Sequence, residues 1–224
     1  MAENRPQNKM IKIIIASLFL VLILIMIISF VIYIQRDKEN NELINKTPSI
    51  NNREDKKVEI IVFGDYQCPF CKMYERKVFP KINKDYLETN KASYHFVNAQ
   101  LLGKESEQAS RASYAVYQTD KRKYWEFHKK LFDEQENKKG LTMNRIDNLI
   151  ESLGLPADKV KKIKLDYKST NSQSFKASEE AKEIKDNFNV KQVPTVIING
   201  KKVKNPYKYN EIKQVIEKEA DKNG

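Results

Sequence analysis

Between Ile13 and Ile34 the chain runs 22 residues without a charge, bracketed by Lys12 on one side and Gln35-Arg36 on the other. That is long enough to cross the hydrocarbon core of a bilayer. A cleavable leader would show an apolar region of about 7–15 residues and a small-residue cleavage site. This run is longer, stays bulky through Ser29-Phe30-Val31-Ile32-Tyr33, and offers neither Ala-x-Ala nor a cysteine for lipidation. It reads as a retained transmembrane anchor over 13–34, with 1–12 as a short N-terminal segment. Residues 35–56 are predominantly polar, with Pro48 among them, which is the composition of a flexible tether.

From residue 57 to 222 the pattern is that of one globular domain, long enough for a single core. Val58–Phe63 is a nearly continuous apolar run, the signature of a buried strand. A helical pattern follows from Cys68 to about Thr89, with Pro80 predicted to kink it. Ser93–Ala99, rich in aromatic and β-branched residues, predicts a second strand. Four helical patterns come next, carried by Ala109/Ala112/Val116, Tyr124/Phe127/His128/Leu131, Ile146/Leu149/Ile150/Leu153 and Ala177/Ala181/Ile184/Phe188. A weaker one lies around Val160/Ile163/Tyr167. Thr195–Ile198 is another buried-strand run, Asn199-Gly200 a hairpin turn, and Ile212/Val215/Ile216/Ala220 a closing helix. A β-α-β start and a β-β-α finish, separated by helices over about 103–189, predict an α/β thioredoxin fold with an inserted helical subdomain. Tyr124, Trp125 and Phe127 in that insertion are expected to be core.

The chain has two cysteines, Cys68 and Cys71, and they form a C-x-x-C pair where the first strand gives way to a helix. That context reads as thioredoxin-like redox chemistry. Pro69 suits the first helical position, since its missing N–H would have no intrahelical partner. Cys68 then falls at the N-cap, where the Phe70 and Cys71 amides and the helix dipole favour thiolate over thiol, with Lys72 close by. Cys71 joins Tyr74, Val78 and Ile82 on a core-facing stripe. Cys68 is therefore expected to be the exposed nucleophile and Cys71 the shielded resolving thiol. A structural disulfide across so short a loop would stabilise little. A zinc site lacks ligands, because His95 and His128 show no ligand spacing, and haem attachment would need His where Lys72 stands.

The net charge of +11 comes from 34 lysines and 7 arginines. Nucleic-acid readers rely on arginine forks, and no basic stripe interleaved with aromatics is present, so no nucleic-acid partner is expected. The lysines read as solvated faces, or more weakly as attraction to anionic headgroups or wall polymers. Arg5, Lys9 and Lys12 balance Arg36, Lys38 and Lys46, so the positive-inside count does not orient the anchor. A disulfide-exchange domain is most useful outside the cytosol, which places 1–12 inside and the domain on the extracytoplasmic side of the cell membrane.

Phe63-Gly64-Asp65-Tyr66-Gln67-Cys68-Pro69-Phe70-Cys71-Lys72, Gly103-Lys104-Glu105-Ser106-Glu107, Trp125-Glu126-Phe127-His128 and Val193-Pro194-Thr195 before Ile198-Asn199-Gly200 resemble the DsbA-like thiol–disulfide oxidoreductases, and within them the membrane-anchored proteins of Gram-positive bacteria. The likeness covers about 57–220. It implies Cys68 and Cys71 as catalytic residues, supported by Pro69, Phe70, Val193 and a cis Pro194. A cis X-Pro bond removes a donor and leaves the Val193 backbone open to an extended peptide. It further implies reduced exported proteins as substrates, a quinone-coupled membrane oxidase of the DsbB/BdbC type as partner, and the Cys68–Cys71 disulfide as the redox group, with no organic cofactor and no metal. Family members often carry a buried acid in the first strand beneath the cysteines. Val62 stands there here, Glu59 lies further back, and the proton route at Cys71 is left open.

The resulting expectation is an enzyme that introduces disulfides into exported proteins, with a reduction potential nearer the DsbA end of the range than that of thioredoxin. Two rivals remain: an extracytoplasmic reductase of the cytochrome-maturation type, and a tethered binding module with a non-catalytic disulfide.

Overall fold

A computed structural model describes residues 5–51, 58–136 and 140–222. The chain divides into two units, Met1–Glu42 and Leu43–Gly224. Helix α1, Arg5–Asn45, contains the apolar run. Its Lys9–Asn45 portion is long and apolar enough to cross a membrane, and its large apolar side chains from Met10 to Ile34 are exposed.

The second unit is built on a five-stranded mixed sheet in the order β1-β3-β2-β4-β5. The strands are β1 (Ser49–Ile50), β2 (Val58–Gly64), β3 (Ala92–Asn98), β4 (Thr195–Ile198) and β5 (Lys201–Lys202). β2 pairs parallel with β3, from Val58 opposite Ala92 to Gly64 opposite Asn98. It pairs antiparallel with β4, from Ile60 opposite Ile198 to Phe63 opposite Thr195. A central strand covered on both faces must be apolar at successive positions, and β2 is buried throughout. Its alternation feeds two cores. Val58, Ile60 and Val62 join Cys71, Tyr74 and Ile82 on one side; Ile61 and Phe63 join Val97, Ile184 and Val190 on the other. Asn199 and Gly200 both have positive φ, 44° and 77°, as the two-residue turn between β4 and β5 requires.

The helical pattern after Cys68 is three pieces rather than one kinked helix: α2 (Pro69–Lys77), α3 (Phe79–Ile82) and a π turn over Asn83–Leu87. Pro80 has no N–H to donate and clashes with the preceding turn, so α2 stops at Val78 and α3 starts with Pro80 in its first turn. The insertion consists of α4 (Lys104–Thr119), α5 (Lys121–Asp133), α6 (Met143–Glu151), α7 (Ala157–Lys168) and α8 (Gln173–Asn187), and α9 (Tyr209–Lys222) closes the domain. Asp120 caps α5 and Ser172 caps α8 through side-chain oxygens. Tyr124 and Phe127 are buried, and Trp125 packs against the same core.

The segment expected to be a tether differs in its first part. Residues 35–45 continue α1, Leu43 and Ile44 are buried in the second core, and Ser49–Ile50 pair antiparallel with His95 and Tyr94 of β3. The polar majority of this segment hides two apolar residues, Leu43 and Ile44, and the strand positions Ser49 and Ile50, enough to seat residues 43–50 on the domain. Residues 52–57, the remainder of that segment and the first residue of the expected domain, lie outside the described residues, as do 1–4 of the N-terminal segment and 137–139 of the insertion.

Candidate functional site

The two cysteines sit where β2 hands over to α2. Asp65 begins the turn, with the Cys68 amide donating to its carbonyl at 3.0 Å. Cys68 is the N-cap in extended conformation (φ −83°, ψ 116°), and Pro69 opens the helix. The Cys68 sulfur makes no cap hydrogen bond of ordinary length, yet its thiolate is strongly favoured. Cys68 is lowered to about 6, first because the Cys71 thiol donates toward its sulfur, with further help from the Cys71 and Phe70 amides and against the cost of burial. Cys71 goes the other way: burial pushes its thiol far up, and the hydrogen bond and charge of Cys68 add to that. Lys72, expected to support the thiolate, is not among the leading influences on Cys68, and its Nζ lies 3.4 Å from the Asp133 carbonyl.

Cys68 is less exposed than its N-cap position suggested: 6% of its surface is accessible, against 2% for Cys71. The chain that covers it is the loop before β4. Cys68 Sγ lies 3.7 Å from the Val193 carbonyl oxygen, and the Val193–Pro194 bond is cis. The structure thus brings Cys68, Cys71, Pro69, Val193 and Pro194 together. Phe70 points outward, 60% exposed, with its ring 6.1 Å from that of Tyr207 in the loop before α9. Burial and the nearby sulfur charges raise the Tyr207 phenol, so Tyr207 belongs to the site although no sequence motif pointed to it.

Several polar residues fix this turn. Asp65 is fully buried and its carboxylate accepts from the Gln67 amide (2.8 Å), the Leu101 and Leu102 amides (2.8 and 3.1 Å) and the Ser106 hydroxyl. Glu105 accepts from the Gln67 side chain at 2.6 Å and from the Leu141 amide at 3.0 Å. From the 3-10 turn Glu134–Glu136 that follows α5, Gln135 Nε2 donates to the Tyr66 and Cys68 carbonyls at 2.6 and 3.2 Å. Asp65, Glu105 and Ser106 stood inside recognisable motifs without an assigned role. Gln135 carried no signal, because its partners are backbone carbonyls 67 and 69 residues away. Val62 faces the cysteine side of the sheet, while Glu59 shares the opposite face with Ile61 and Phe63, so β2 supplies no acid beneath the cysteines. Among the described residues no cluster of three or more His, Cys, Asp or Glu could hold a metal ion.

A family model described as Thioredoxin matches residues 44–218. The chain belongs to the thioredoxin family. It is 33% identical over 191 residues to disulfide bond formation protein D of Bacillus subtilis (strain 168), covering 82% of this chain and 84% of that protein. It is 26% identical to the probable disulfide bond formation protein D of Bacillus anthracis, over 97% of this chain and all of that one. The crystal structure of oxidised BdbD from Bacillus subtilis superposes with a TM-score of 0.73 at 32% identity, covering 80% of this chain and 95% of that one. The thiol–disulfide exchange protein α-DsbA2 from Wolbachia pipientis shares the fold (TM-score 0.67, 20% identity, 82% and 94% covered). This family member is a DsbA-like thiol–disulfide oxidoreductase, and its apolar N-terminal helix fits a membrane anchor.

Proposed function

We propose that this oxidoreductase donates disulfides to reduced exported proteins through Cys68 and Cys71, from the extracytoplasmic face of the membrane. The observation that carries the direction is the depressed Cys68. A thiolate stabilised by the Cys71 thiol and two helix amides lowers the energy of the reduced form, and that makes the disulfide a stronger oxidant. Cys68, lowered to about 6, lies well below the value of about 8.5 for a free thiol. In the oxidised enzyme a client thiolate attacks Cys68, displacing Cys71, and a second client thiolate attacks the client sulfur of the mixed disulfide and releases Cys68. Phe70 and Tyr207 border the sulfur, and Val193 offers backbone to an extended client. A quinone-coupled membrane oxidase of the DsbB/BdbC type would restore the disulfide.

Equilibrating the full-length protein against a glutathione series, with Cys68–Cys71 followed by alkylation shift, tests the direction. The expected potential lies above the thioredoxin value of about −270 mV and below the DsbA value of about −120 mV. A value at or below that of thioredoxin would make this protein a reductase of its clients. Sidedness has its own check: protease added to intact protoplasts should remove the domain after residue 36, and a protected domain would place the cysteines in the cytosol.

A further inference from the structure

The Cys68 thiolate is favoured by what its sulfur faces, the Cys71 thiol and the Phe70 and Cys71 amides. Those donors are reached from one backbone conformation. Cys68 is extended at the N-cap (φ −83°, ψ 116°) while the residues after it turn helical, and its side chain makes no cap hydrogen bond that would hold it there. On its N-terminal side the Cys68 amide is tied to the Asp65 carbonyl at 3.0 Å. On its C-terminal side the peptide bond leads to Pro69 and has no N–H. The orientation of that peptide plane is therefore fixed through the Cys68 carbonyl.

Two donors meet this carbonyl. One is the Lys72 amide at 3.1 Å, the first bond of α2. The other is Gln135 Nε2 at 3.2 Å, which also donates to the Tyr66 carbonyl at 2.6 Å. A single side-chain amide thus bridges the peptide planes on either side of the Gln67–Cys68 link. Solvent could satisfy two carbonyls at a turn, but separate waters would leave the angle between the planes free. Gln135 is itself held in place. Just before it, Asp133 accepts from Arg76 at 2.8 Å and, through its carbonyl, from Lys72 Nζ at 3.4 Å, both on α2. Its other neighbour in the turn, Glu134, pairs with Arg145 of α6. The end of α5 is in this way fastened to the helix that Cys68 caps, with Gln135 half-buried beside a residue 67 positions earlier in the chain.

We propose that Gln135 is a positioning residue for Cys68: by bridging the Tyr66 and Cys68 carbonyls it holds the first cysteine in the conformation from which its sulfur meets the start of α2. Gln135 bonds to backbone carbonyls, and its effect reaches the reaction through the backbone. In this role it presupposes Cys68 as the reactive sulfur and serves exchange in either direction. Without the bridge the sulfur samples conformations that face fewer donors. The thiolate loses stabilisation, Cys68 becomes a slower leaving group from a client, and the Cys68–Cys71 disulfide becomes a weaker oxidant. The helices inserted after β3 thereby take part in the chemistry, since one of them ends in the group that orients a cysteine carried by the β2–α2 turn.

The test uses full-length protein in detergent micelles. Gln135→Met keeps the length of the side chain and removes the donor; Gln135→Ala removes the donor and admits water. Iodoacetamide labelling of Cys68 against pH reads the thiolate midpoint, and equilibration with a glutathione series reads the redox equilibrium constant. In both variants the labelling midpoint should rise. The constant should move roughly three- to tenfold toward the protein disulfide, the range set by one or two lost hydrogen bonds. At tenfold the potential falls by about 30 mV. Urea midpoints measured alongside report any loss of stability separately. Wild-type labelling midpoints and equilibrium constants in a folded variant overturn the assignment, however far its stability has dropped, and the alanine variant decides where the methionine variant does not fold. Failure of both to fold also overturns it, by making Gln135 a residue of the fold and not of the site. A wild-type Cys68 that titrates like a free cysteine, at about 8.5, would instead overturn the reading of Cys68 as the stabilised nucleophile.

Discussion

Cys68 Sγ lies 3.7 Å from the carbonyl oxygen of Val193, across 125 residues of chain. The contact joins the start of α2 to the loop before β4, with β3 and the helical insertion lying between them in the chain. In the dithiol form the Val193 carbonyl is within reach of the sulfur. Under the proposed function, an extended client whose own sulfur is bonded to Cys68 would lie along the same backbone edge.

The opposed behaviour of the two thiols predicts selective alkylation. Iodoacetamide should label Cys68 with a midpoint near pH 6, against about 8.5 for a free cysteine, and should leave Cys71 untouched. The same shift has a sign in stability. A depressed thiol contributes stability that is fully present above its unfolded value near 9 and is lost as pH falls through about 6. The reduced protein should therefore melt higher at pH 8–9 than at pH 5–6 when referenced to Cys68→Ser. Equal labelling of both cysteines would reverse the assigned roles.

Replacing the resolving thiol should arrest the reaction half-way. In Cys71→Ser a client attached to Cys68 loses its intramolecular exit, and covalent complexes should accumulate on non-reducing gels of membranes. Pro194→Thr should do likewise, because it adds a side-chain hydroxyl and a backbone N–H where an extended client would pair beside Val193. Gels free of such complexes in both variants would favour a tethered binding module.

The central architecture was legible because periodicity reports burial. The apolar positions of the β2 and β4 runs, the stripe Cys71, Tyr74, Val78 and Ile82, and most of the apolar helix positions of the insertion lie in or against the two cores. The paired cysteines and Val193-Pro194 were legible as motifs. Local pattern failed where few residues decide the outcome. Leu43 and Ile44 sit in a mostly polar stretch, yet those two side chains and the two-residue strand β1 are enough to dock it. Long-range polar contacts left no trace at all: Gln135 reaches the Cys68 carbonyl, and Glu75 meets His128, through pairings that no spacing encodes.

Asp65 predicts a coupled effect on stability and chemistry. Asp65→Asn places an amide donor among the Gln67, Leu101, Leu102 and Ser106 donors. Leaving buried donors opposed should cost about 1–3 kcal/mol, read as a lower urea midpoint. Removing the carboxylate also removes a charge that raises both sulfurs, so the Cys68 alkylation midpoint should move down. Unchanged values in both measurements would mean that Asp65 neither fixes the turn nor acts on the thiols.

Gly64 carries the last prediction, because it closes β2 immediately before the active-site turn. A Cβ built there would lie 2.6 Å from Phe96 Cε2 and 2.8 Å from Cζ. A ring at the end of a side chain could normally yield, but Phe96 is held by Tyr66, His128 and Phe132, with ring centroids at 5.6, 4.5 and 6.2 Å. Displacing it would disturb the Tyr66–His128 contact. Gly64→Ala should cost about 1–3 kcal/mol by overpacking, seen as a lower urea midpoint with an unchanged slope. Phe96→Leu should restore part of that loss in the double variant, since the smaller side chain vacates the space the new methyl needs. A single Gly64→Ala as stable as the wild type would show that the ring can shift without cost and that the packing beneath the turn is looser than these distances describe.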